Sequence, residues 1–166
     1  FFASCGNSAE QAQAVPSTGF ELLSPERTGI SFVGNIKEDP SRNYFLFNYI
    51  YIGGGAAAAD FNNDGLEDLY VVSNTDSSHL YINEGDFQFR NVTATSNTHL
   101  VGLLKTGVTI VDINQDGLED IFFSGNNVSS KLYLNKGNLK FEDITASAGL
   151  TTNRWCAGAS MVDINQ

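Results

Sequence analysis

Short runs of apolar or β-branched residues, separated by turn-forming residues, recur along the chain. The first set occupies residues 56–59, 69–73, 80–83 and 87–89, and the last of these alternates apolar with polar positions. Such runs predict β-strands, because successive side chains of a strand point to opposite faces. No stretch shows a sustained apolar period of 3.6 residues, so helices are expected to be scarce. The pattern therefore predicts an all-β fold.

The same set of runs returns 52 residues later, at residues 108–111, 121–124, 132–135 and 139–144. Between the third and fourth runs, Gly85 and Gly137 are expected to supply the positive φ that a tight hairpin needs. Repeats of this kind indicate solenoids, propellers or arrays, and four antiparallel strands per repeat are typical of a propeller blade. The predicted fold class is thus all-β, a partial β-propeller of four-stranded antiparallel blades.

The repeats divide the chain into units. Residues 55–106 and 107–157 each predict one blade, and residues 158–166 begin another. Residues 20–24 resemble the fourth strand of a blade, so residues 20–54 are expected to contain a ring-closing strand and an insertion. Two blades cannot close a propeller, which needs about four to eight, and the chain stops within a repeat. We therefore expect it to be part of a protein at least twice as long.

A polar loop joins the first two strands of each unit and repeats as Asp-x-Asn-x-Asp-Gly-Leu-Glu-Asp. Oxygen atoms at every second position, with Gly at position 6 for a sharp turn, describe a loop that wraps a hard cation. All-oxygen ligation favours Ca²⁺ over Zn²⁺ or copper, and Mg²⁺ prefers fewer protein ligands. An EF-hand is excluded, because position 12 is Val71 or Phe123 within a predicted strand. The predicted ligands in the first loop are Asp60, Asn62, Asp64, the Leu66 carbonyl and Asp68.

The second loop repeats this ligand set. In the third repeat only Asp163 and Asn165 are present, so that site is expected to be broken in this chain. Glu67 and Glu119, at position 8, are expected to point to solvent. A polar turn without metal is the plain alternative for one copy, but two copies in the same strand context favour calcium sites. The predicted ligands of the second loop are Asp112, Asn114, Asp116, the Leu118 carbonyl and Asp120.

The formal net charge of −10 follows largely from these loops. Like charges so closely spaced repel one another unless a cation lies among them, so the acidity indicates metal binding. The nine Lys and Arg residues are scattered and form no basic patch, which argues against nucleic acid as a partner. Nine of the nineteen acidic residues lie in the repeated loops: Asp60, Asp64, Glu67, Asp68, Asp112, Asp116, Glu119, Asp120 and Asp163.

The N-terminal sequence Phe-Phe-Ala-Ser-Cys-Gly resembles the end of a bacterial lipoprotein signal. On this interpretation residues 1–5 end the signal, Cys5 is lipidated, and residues 6–19 form a flexible linker. An ordinary Cys in a frayed terminus is the alternative. Membrane contact is expected only through the lipid at Cys5. Cys156 lies in an apolar context and is interpreted as a buried small hydrophobe.

Candidate catalytic residues are sparse. His79 and His99 are isolated and are interpreted as surface residues. Adjacent carboxylates in a strand face opposite sides, so the Glu-Asp pairs that end the loops predict no acid/base couple. The sequence holds no Gly-x-Ser-x-Gly, His-Glu-x-x-His or phosphate-loop motif. The aromatic residues of the 44–51 segment are interpreted as core, with sugar binding as the alternative.

The repeated Gly-rich strand and Asp-rich loop, as in residues 53–68 and 106–120, resemble FG-GAP/VCBS repeats, the calcium-binding repeats of integrin α-subunits. The linked Leu-Tyr-Leu-Asn-Lys-Gly and Phe-Glu-Asp-Ile-Thr stretches resemble secreted bacterial proteins of the ASPIC/UnbV, CRTAC-like group. The resemblance covers residues 20–166. It implies a propeller of seven or eight blades in the full protein, calcium sites that brace adjacent strands, and a role in adhesion or ligand binding.

The expected function is a calcium-stabilised, non-enzymatic binding or adhesion module. Its expected partner is an extracellular protein or glycan. The expected location is extracellular or at the bacterial cell surface, as an outer-membrane lipoprotein. The alternative is a propeller enzyme, for instance a carbohydrate-active one, whose catalytic residues lie in blades outside this sequence.

Overall fold

The computed structural model describes residues 19–100, 104–126, 129–151 and 154–164. Its strands form two separate four-stranded antiparallel sheets in which each strand pairs with the next along the chain. The first sheet, which we call the first blade, consists of β1 (Gly55–Ala59), β2 (Asp68–Val72), β3 (His79–Asn83) and β4 (Phe89–Asn91).

The second blade repeats this arrangement 52 residues later. It consists of β5 (Lys105–Val111), β6 (Asp120–Gly125), β7 (Lys131–Asn135) and β8 (Phe141–Asp143). The described helices are two single turns, α1 (Pro25–Thr28) and α2 (Thr93–Ser96). The predicted fold class, an all-β partial propeller with scarce helices, is confirmed.

The outer strand of each blade begins later than the residue pattern predicts. Phe87 and Leu139 adopt left-handed backbone conformations, with φ of 59° and 56°, and therefore belong to the hairpin instead of the strand. Gly85 and Gly137 have the positive φ expected of them, at 88° and 75°. Three consecutive left-handed residues complete each β3–β4 and β7–β8 turn, which an alternating pattern alone does not reveal.

The hydrophobic core runs through both blades as one cluster. In β2 the burial alternates, with Tyr70 and Val72 buried, whereas every residue of β6 is buried. The difference follows from position, because the second blade lies between the first blade and residues 154–164. Thr106 and Thr109 of β5 donate hydrogen bonds to the carbonyl oxygens of Cys156 (2.6 Å) and Ala159 (2.7 Å). Residues 154–164 thus begin a third unit beside β5, although no strand is formed there.

Small residues let the inner strands approach one another. A Cβ on Gly55 of β1 would lie 3.1 Å from the Val108 nitrogen of β5, and a Cβ on Gly107 would lie 3.2 Å from the Ala157 carbonyl oxygen. Both distances are tighter than ordinary contacts. Glycine at the same position of both repeats therefore permits the blade-to-blade spacing.

Residues 20–24 form no strand in the described chain, and Phe20 and Leu22 are 96% and 98% exposed. The helix α1 that follows is capped by Ser24 and ends at Gly29, with φ of 73°. A Cβ on Gly29 would lie 2.5 Å from the Phe89 carbonyl oxygen of β4, so α1 is held close to the first blade's outer hairpin.

The helix α2 has the matching position beside the second blade, where Lys140 donates a hydrogen bond to the Thr95 carbonyl. In the chain, α2 follows the outer strand β4. Because α1 has the equivalent position beside the first blade, residues 20–24, which precede α1, correspond to the outer strand of a neighbouring blade. Ring closure by this segment stays a prediction.

The 30–54 insertion consists of turns and one isolated bridge between Asp39 and Arg42. It is anchored to the β2–β3 connection, where Thr75 Oγ1 accepts from Lys37 N–H (3.0 Å) and donates to the Asn35 carbonyl (2.9 Å). Ile50 is fully buried, but most aromatic residues of the 44–51 segment are exposed. The interpretation of these aromatics as core is therefore wrong.

Phe61, the second residue of the first loop, joins the two blades. It is 1% exposed and packs edge-to-face on Phe141 of β8, with ring centroids 6.0 Å apart. Its ring thus leaves its own blade and fills the core of the next. Aromatic pairs of this geometry add to the stabilisation that burial of their area supplies.

Phe61→Ala is expected to lower the free energy of unfolding by about 3–5 kcal/mol, because it leaves a cavity between two blades. Phe45→Ala removes an equally large side chain that is 93% exposed and is expected to change stability by less than about 0.5 kcal/mol. Denaturant unfolding of the full-length variants measures both values. Equal effects of the two substitutions would contradict the assigned role of Phe61.

Candidate metal sites

Each Asp-rich loop is the tight connection of a β-hairpin. Ala59 pairs with Asp68 across the hairpin, so loop positions 1 and 9 lie beside each other at the ends of β1 and β2. Gly65 at position 6 has a φ of 87°, and Gly117 at the same position of the second loop has a φ of 82°. The sharp turn expected at position 6 is present in both loops. Asn63 and Gln115 are also left-handed, with φ of 58° in both.

The side chains of the first loop turn inward onto its own backbone. The two Asp60 carboxylate oxygens accept from Asp64 N–H (3.0 Å) and Gly65 N–H (2.7 Å). Asn62 Oδ1 accepts from the same Asp64 N–H (3.1 Å), and Asn62 Nδ2 donates to Asp64 Oδ2 (2.8 Å). The oxygen atoms of three predicted ligands are therefore gathered within one turn.

The second loop reproduces this geometry. Asp112 accepts from Asp116 N–H (3.0 Å) and Gly117 N–H (2.8 Å), and Asn114 accepts from Asp116 N–H (3.2 Å). Two loops of different sequence at positions 2 and 4 thus adopt one conformation. The bonds that define this conformation are made by Asp, Asn and Gly positions that both loops share.

Asp68 and Asp120, at position 9, are fully buried carboxylates. Asp68 accepts from Phe61 N–H (3.0 Å) and Asn83 N–H (2.8 Å). The pKa of Asp68 is raised to about 6, first by burial and to a smaller extent by the charges of Asp64 and Asp60, against the lowering by these two N–H donors. The pKa of Asp120 is also raised, first by burial. Each loop therefore concentrates negative charge that a cation would offset.

The donor set fits a hard cation only when its neutral oxygens are included. In the described part of the chain, no group of three or more His, Cys, Asp or Glu side chains is arranged to hold a metal ion. The amide of Asn62 or Asn114 and the carbonyl of Leu66 or Leu118 are needed to complete each set. Mixed carboxylate, amide and carbonyl oxygens are the ligands that Ca²⁺ takes.

The remaining residues that the sequence analysis singles out lie outside the two complete ligand sets. Asp163 lies with Met161, Val162 and Ile164 along an open cleft of about 450 Å³ against the second loop. Asn165 and Cys5 lie outside the described residues. Glu67 is exposed as predicted, but Glu119 is half-buried.

Asn135 is a site residue that the predicted ligand set misses. Its side chain donates to the Phe61 carbonyl of the first loop (3.0 Å) and to the Glu119 carbonyl of the second (3.2 Å). Asn63 makes a second crossing contact, donating to the Gly117 carbonyl (3.0 Å). The sequence signal for this residue is the recurrence of Asn at positions 83 and 135, where the third strand of each repeat ends.

The histidines form no recognisable catalytic group with the described residues. His99 is exposed and its Nδ1 lies 3.1 Å from Ser77 Oγ, whereas His79 is half-buried and its Nδ1 lies 3.0 Å from the Tyr81 hydroxyl. The surface interpretation therefore holds for His99 and only in part for His79. Burial lowers the pKa of His79, which keeps its imidazole neutral near pH 7.

No helix in the described ranges has the length and apolar character that a membrane span requires. Two curated proteins resemble the chain. It is 27% identical over 126 residues to integrin alpha-8 of Gallus gallus, which covers 65% of this chain and 11% of that protein. It is 29% identical over 98 residues to cartilage acidic protein 1 of Xenopus tropicalis, which covers 57% of this chain and 15% of that protein. The chain thus spans only a small part of these relatives' length.

The model of the FG-GAP-like repeat matches the chain twice, at residues 60–123 and 112–166. The first match begins at the first Asp-rich loop and the second at the next, so the repeat of the family and the repeat of the structure coincide. The matches together extend over more than half of the sequence. This chain belongs to the FG-GAP-like repeat family and is an integrin-like β-propeller repeat protein.

Proposed function

We propose that the protein is a calcium-stabilised extracellular propeller module that binds a protein or glycan ligand and catalyses no reaction. The observation that carries the proposal is an exposed aromatic surface at the end of the sheets opposite the Asp-rich loops. We define this aromatic surface by its five residues, Tyr44, Phe45, Tyr49, Tyr51 and Trp155.

The aromatic surface is assembled from two parts of the chain. Tyr49 of the insertion stacks at a tilt on Trp155 of the third unit, with ring centroids 4.2 Å apart, and Tyr44 lies 6.2 Å from Tyr51. Trp155 is 52% exposed and Phe45 is 93% exposed. Exposed groups of large apolar side chains mark interaction sites, and Tyr and Trp combine an apolar ring with a polar atom suited to binding.

The position of the aromatic surface separates it from the loops. Gly53, at the end of the insertion, accepts a hydrogen bond from Asn74 Nδ2 (3.2 Å) in the β2–β3 connection. That connection and the start of β1 lie at one end of the blade, whereas the β1–β2 loop lies at the other. One end of the sheets is thus free for a ligand while the other holds the proposed ions.

The overall charge restricts the ligand. At a formal net charge of −10, the protein repels nucleic acids and other strongly anionic polymers. Neutral glycans and proteins with a neutral or basic surface are compatible with both the charge and the aromatic surface.

Calcium has a structural role in this proposal. The bound ion supplies positive charge among the loop carboxylates, and the loops fix the connection between the first two strands of each blade. Asp163 and Asn165 are the first two ligands of the third loop. The residues that hold the ions are Asp60, Asn62, Asp64, the Leu66 carbonyl and Asp68, and likewise Asp112, Asn114, Asp116, the Leu118 carbonyl and Asp120.

The proposed location is extracellular, where calcium-binding modules hold the ion with dissociation constants of about 10⁻⁴–10⁻³ M. An integrin subunit and a cartilage protein among the relatives agree with that location. Lipidation of Cys5 and attachment to a bacterial outer membrane are supported by the N-terminal sequence alone.

Calcium in excess is expected to raise the melting temperature of the full-length protein, since an ion bound only to the folded state stabilises it by mass action. At about 100 times the dissociation constant, each site contributes about 2.7 kcal/mol. Asp60→Asn is expected to remove most of the contribution of one loop. Asp86→Asn, the same change of charge in an exposed hairpin, is the matched control. A melting temperature identical in EDTA and in millimolar calcium would rule out structural calcium.

Trp155→Ala and Tyr49→Ala are each expected to weaken ligand binding about tenfold or more, because buried aromatic anchors dominate interface energies. An array of neutral glycans and purified extracellular proteins measures binding by both variants. Quenching of Trp155, the single Trp of this sequence, follows binding by the wild-type protein and the Tyr49 variant in solution. Phe20→Ala removes an exposed aromatic far along the chain and is expected to change nothing. Wild-type binding by both aromatic-surface variants would contradict the proposal.

A further inference from the structure

Asn135, the last residue of β7, contacts both Asp-rich loops. Its backbone N–H donates to Asp120 Oδ1 (2.7 Å), and its side-chain oxygen accepts from Gly137 N–H (3.0 Å). Its side-chain Nδ2 donates to the carbonyls of Phe61 and Glu119. The residue is 1% exposed, and its bonds to Asp120 and to the Phe61 carbonyl are buried. A buried polar network of this kind fixes the positions of the groups it joins.

The Phe61 peptide connects this network to the first loop. Phe61 N–H donates to Asp68 Oδ2 (3.0 Å), while Phe61 C=O accepts from Asn135. A continuous series of hydrogen bonds therefore runs from Asp68 through Phe61 and Asn135 to Asp120. Its two ends are the position-9 carboxylates of neighbouring loops. Packing of the Phe61 ring on Phe141 holds the middle of the series in place.

Asn83 is the counterpart of Asn135 one repeat earlier. Comparing the two shows which bond of Asn135 is not part of the repeated pattern within a blade. Its N–H donates to Asp68 Oδ1 (2.8 Å), its Nδ2 donates to the Glu67 carbonyl (3.0 Å), and its Oδ1 accepts from Gly85 N–H (3.0 Å). These match the bonds of Asn135 within its own blade. The bond to Phe61 is the additional one, and it crosses between blades.

We propose that Asn135 is a positioning residue that couples the two calcium sites, so that an ion in either loop raises the affinity of the other loop for calcium. The inference rests on the proposed calcium sites. An ion in the first loop immobilises Asp68 and the Phe61 peptide that Asp68 binds. The fixed Phe61 carbonyl then holds Asn135, whose N–H orients Asp120 for the second ion.

Coupling of this kind is reciprocal, and a fivefold to tenfold change in affinity lies within its usual range. Part of the coupling arises from ordering. Because the ion in the first loop has already restricted the second loop, the second loop loses less conformational freedom when it binds its own ion. Asn63, through its bond to the Gly117 carbonyl, contributes a second connection between the loops. Loss of Asn135 is therefore expected to remove most of the coupling, and loss of both residues to remove all of it.

The test is a calcium titration of the full-length protein followed by NMR with ¹⁵N-glycine labelling. The Gly65 and Gly117 amides donate to Asp60 and Asp112 and so report the two loops separately. Asp112→Asn combined with Asp116→Asn disables the second loop and is expected to weaken calcium binding at the first loop about fivefold to tenfold. When Asn135→Ala is also present, the same two substitutions in the second loop are expected to change the affinity of the first loop for calcium by less than about twofold.

Asn83→Ala is the matched control and is expected to leave the coupling unchanged, since it removes only bonds within the first blade. If Asn135→Ala does not fold, Asn135→Ser replaces it, because a hydroxyl retains the acceptor for Gly137 N–H but is too short to bind the Phe61 carbonyl. Undiminished coupling in the Asn135 variants, with both loops still binding calcium, would overturn this inference and leave the proposed function intact. Failure of both loops to bind calcium in the wild-type protein would overturn both.

Discussion

The architecture depends on the contact between the first Asp-rich loop and the second blade. Phe61 leaves the first blade and fills the core beside Phe141, and its carbonyl is bound by Asn135. A single blade exposes its apolar faces and is marginal by itself, so repeats gain stability by stacking. The first loop, which carries candidate ligands, is also the part of the first blade that docks on the second. A cation bound in that loop would therefore act on the packing between the blades.

The acidity of the chain has its physical reason in that docking. A loop that must be short, sharply turned and close to its neighbour gathers carboxylates within one turn, where they repel. The pKa of the Asp68 carboxyl is raised first by its burial and then by the neighbouring charges of Asp64 and Asp60. A hard cation would offset the repulsion and take the same oxygen atoms as ligands. The opposite end of the blades presents the aromatic surface instead.

The sequence predicts the strands, the repeat and the loops well, because each depends on local pattern. The apolar run of β2, the Gly residues at positions 85 and 137, and the Asp-x-Asn-x-Asp-Gly spacing are each recognised within a few neighbouring residues. The exposed aromatics of the insertion and the crossing bond of Asn135 are different. Both depend on which distant segments become neighbours in space, and composition favours core for any aromatic cluster. The residue pattern does not predict the late start of β4 and β8, because the left-handed backbone of Phe87 and Leu139 has no side-chain signature.

The central claim is that each loop holds a cation that fixes one blade against the next. A crystal structure of the full-length protein grown with calcium tests it most directly. The account predicts an ion in each loop, bound by oxygen atoms of positions 1, 3, 5, 7 and 9 at about 2.3–2.6 Å, with Asn135 still joining Phe61 to Asp120. Loops that keep the Asp60 and Asp112 carboxylates bonded to their own backbone, with no ion at saturating calcium, would contradict it.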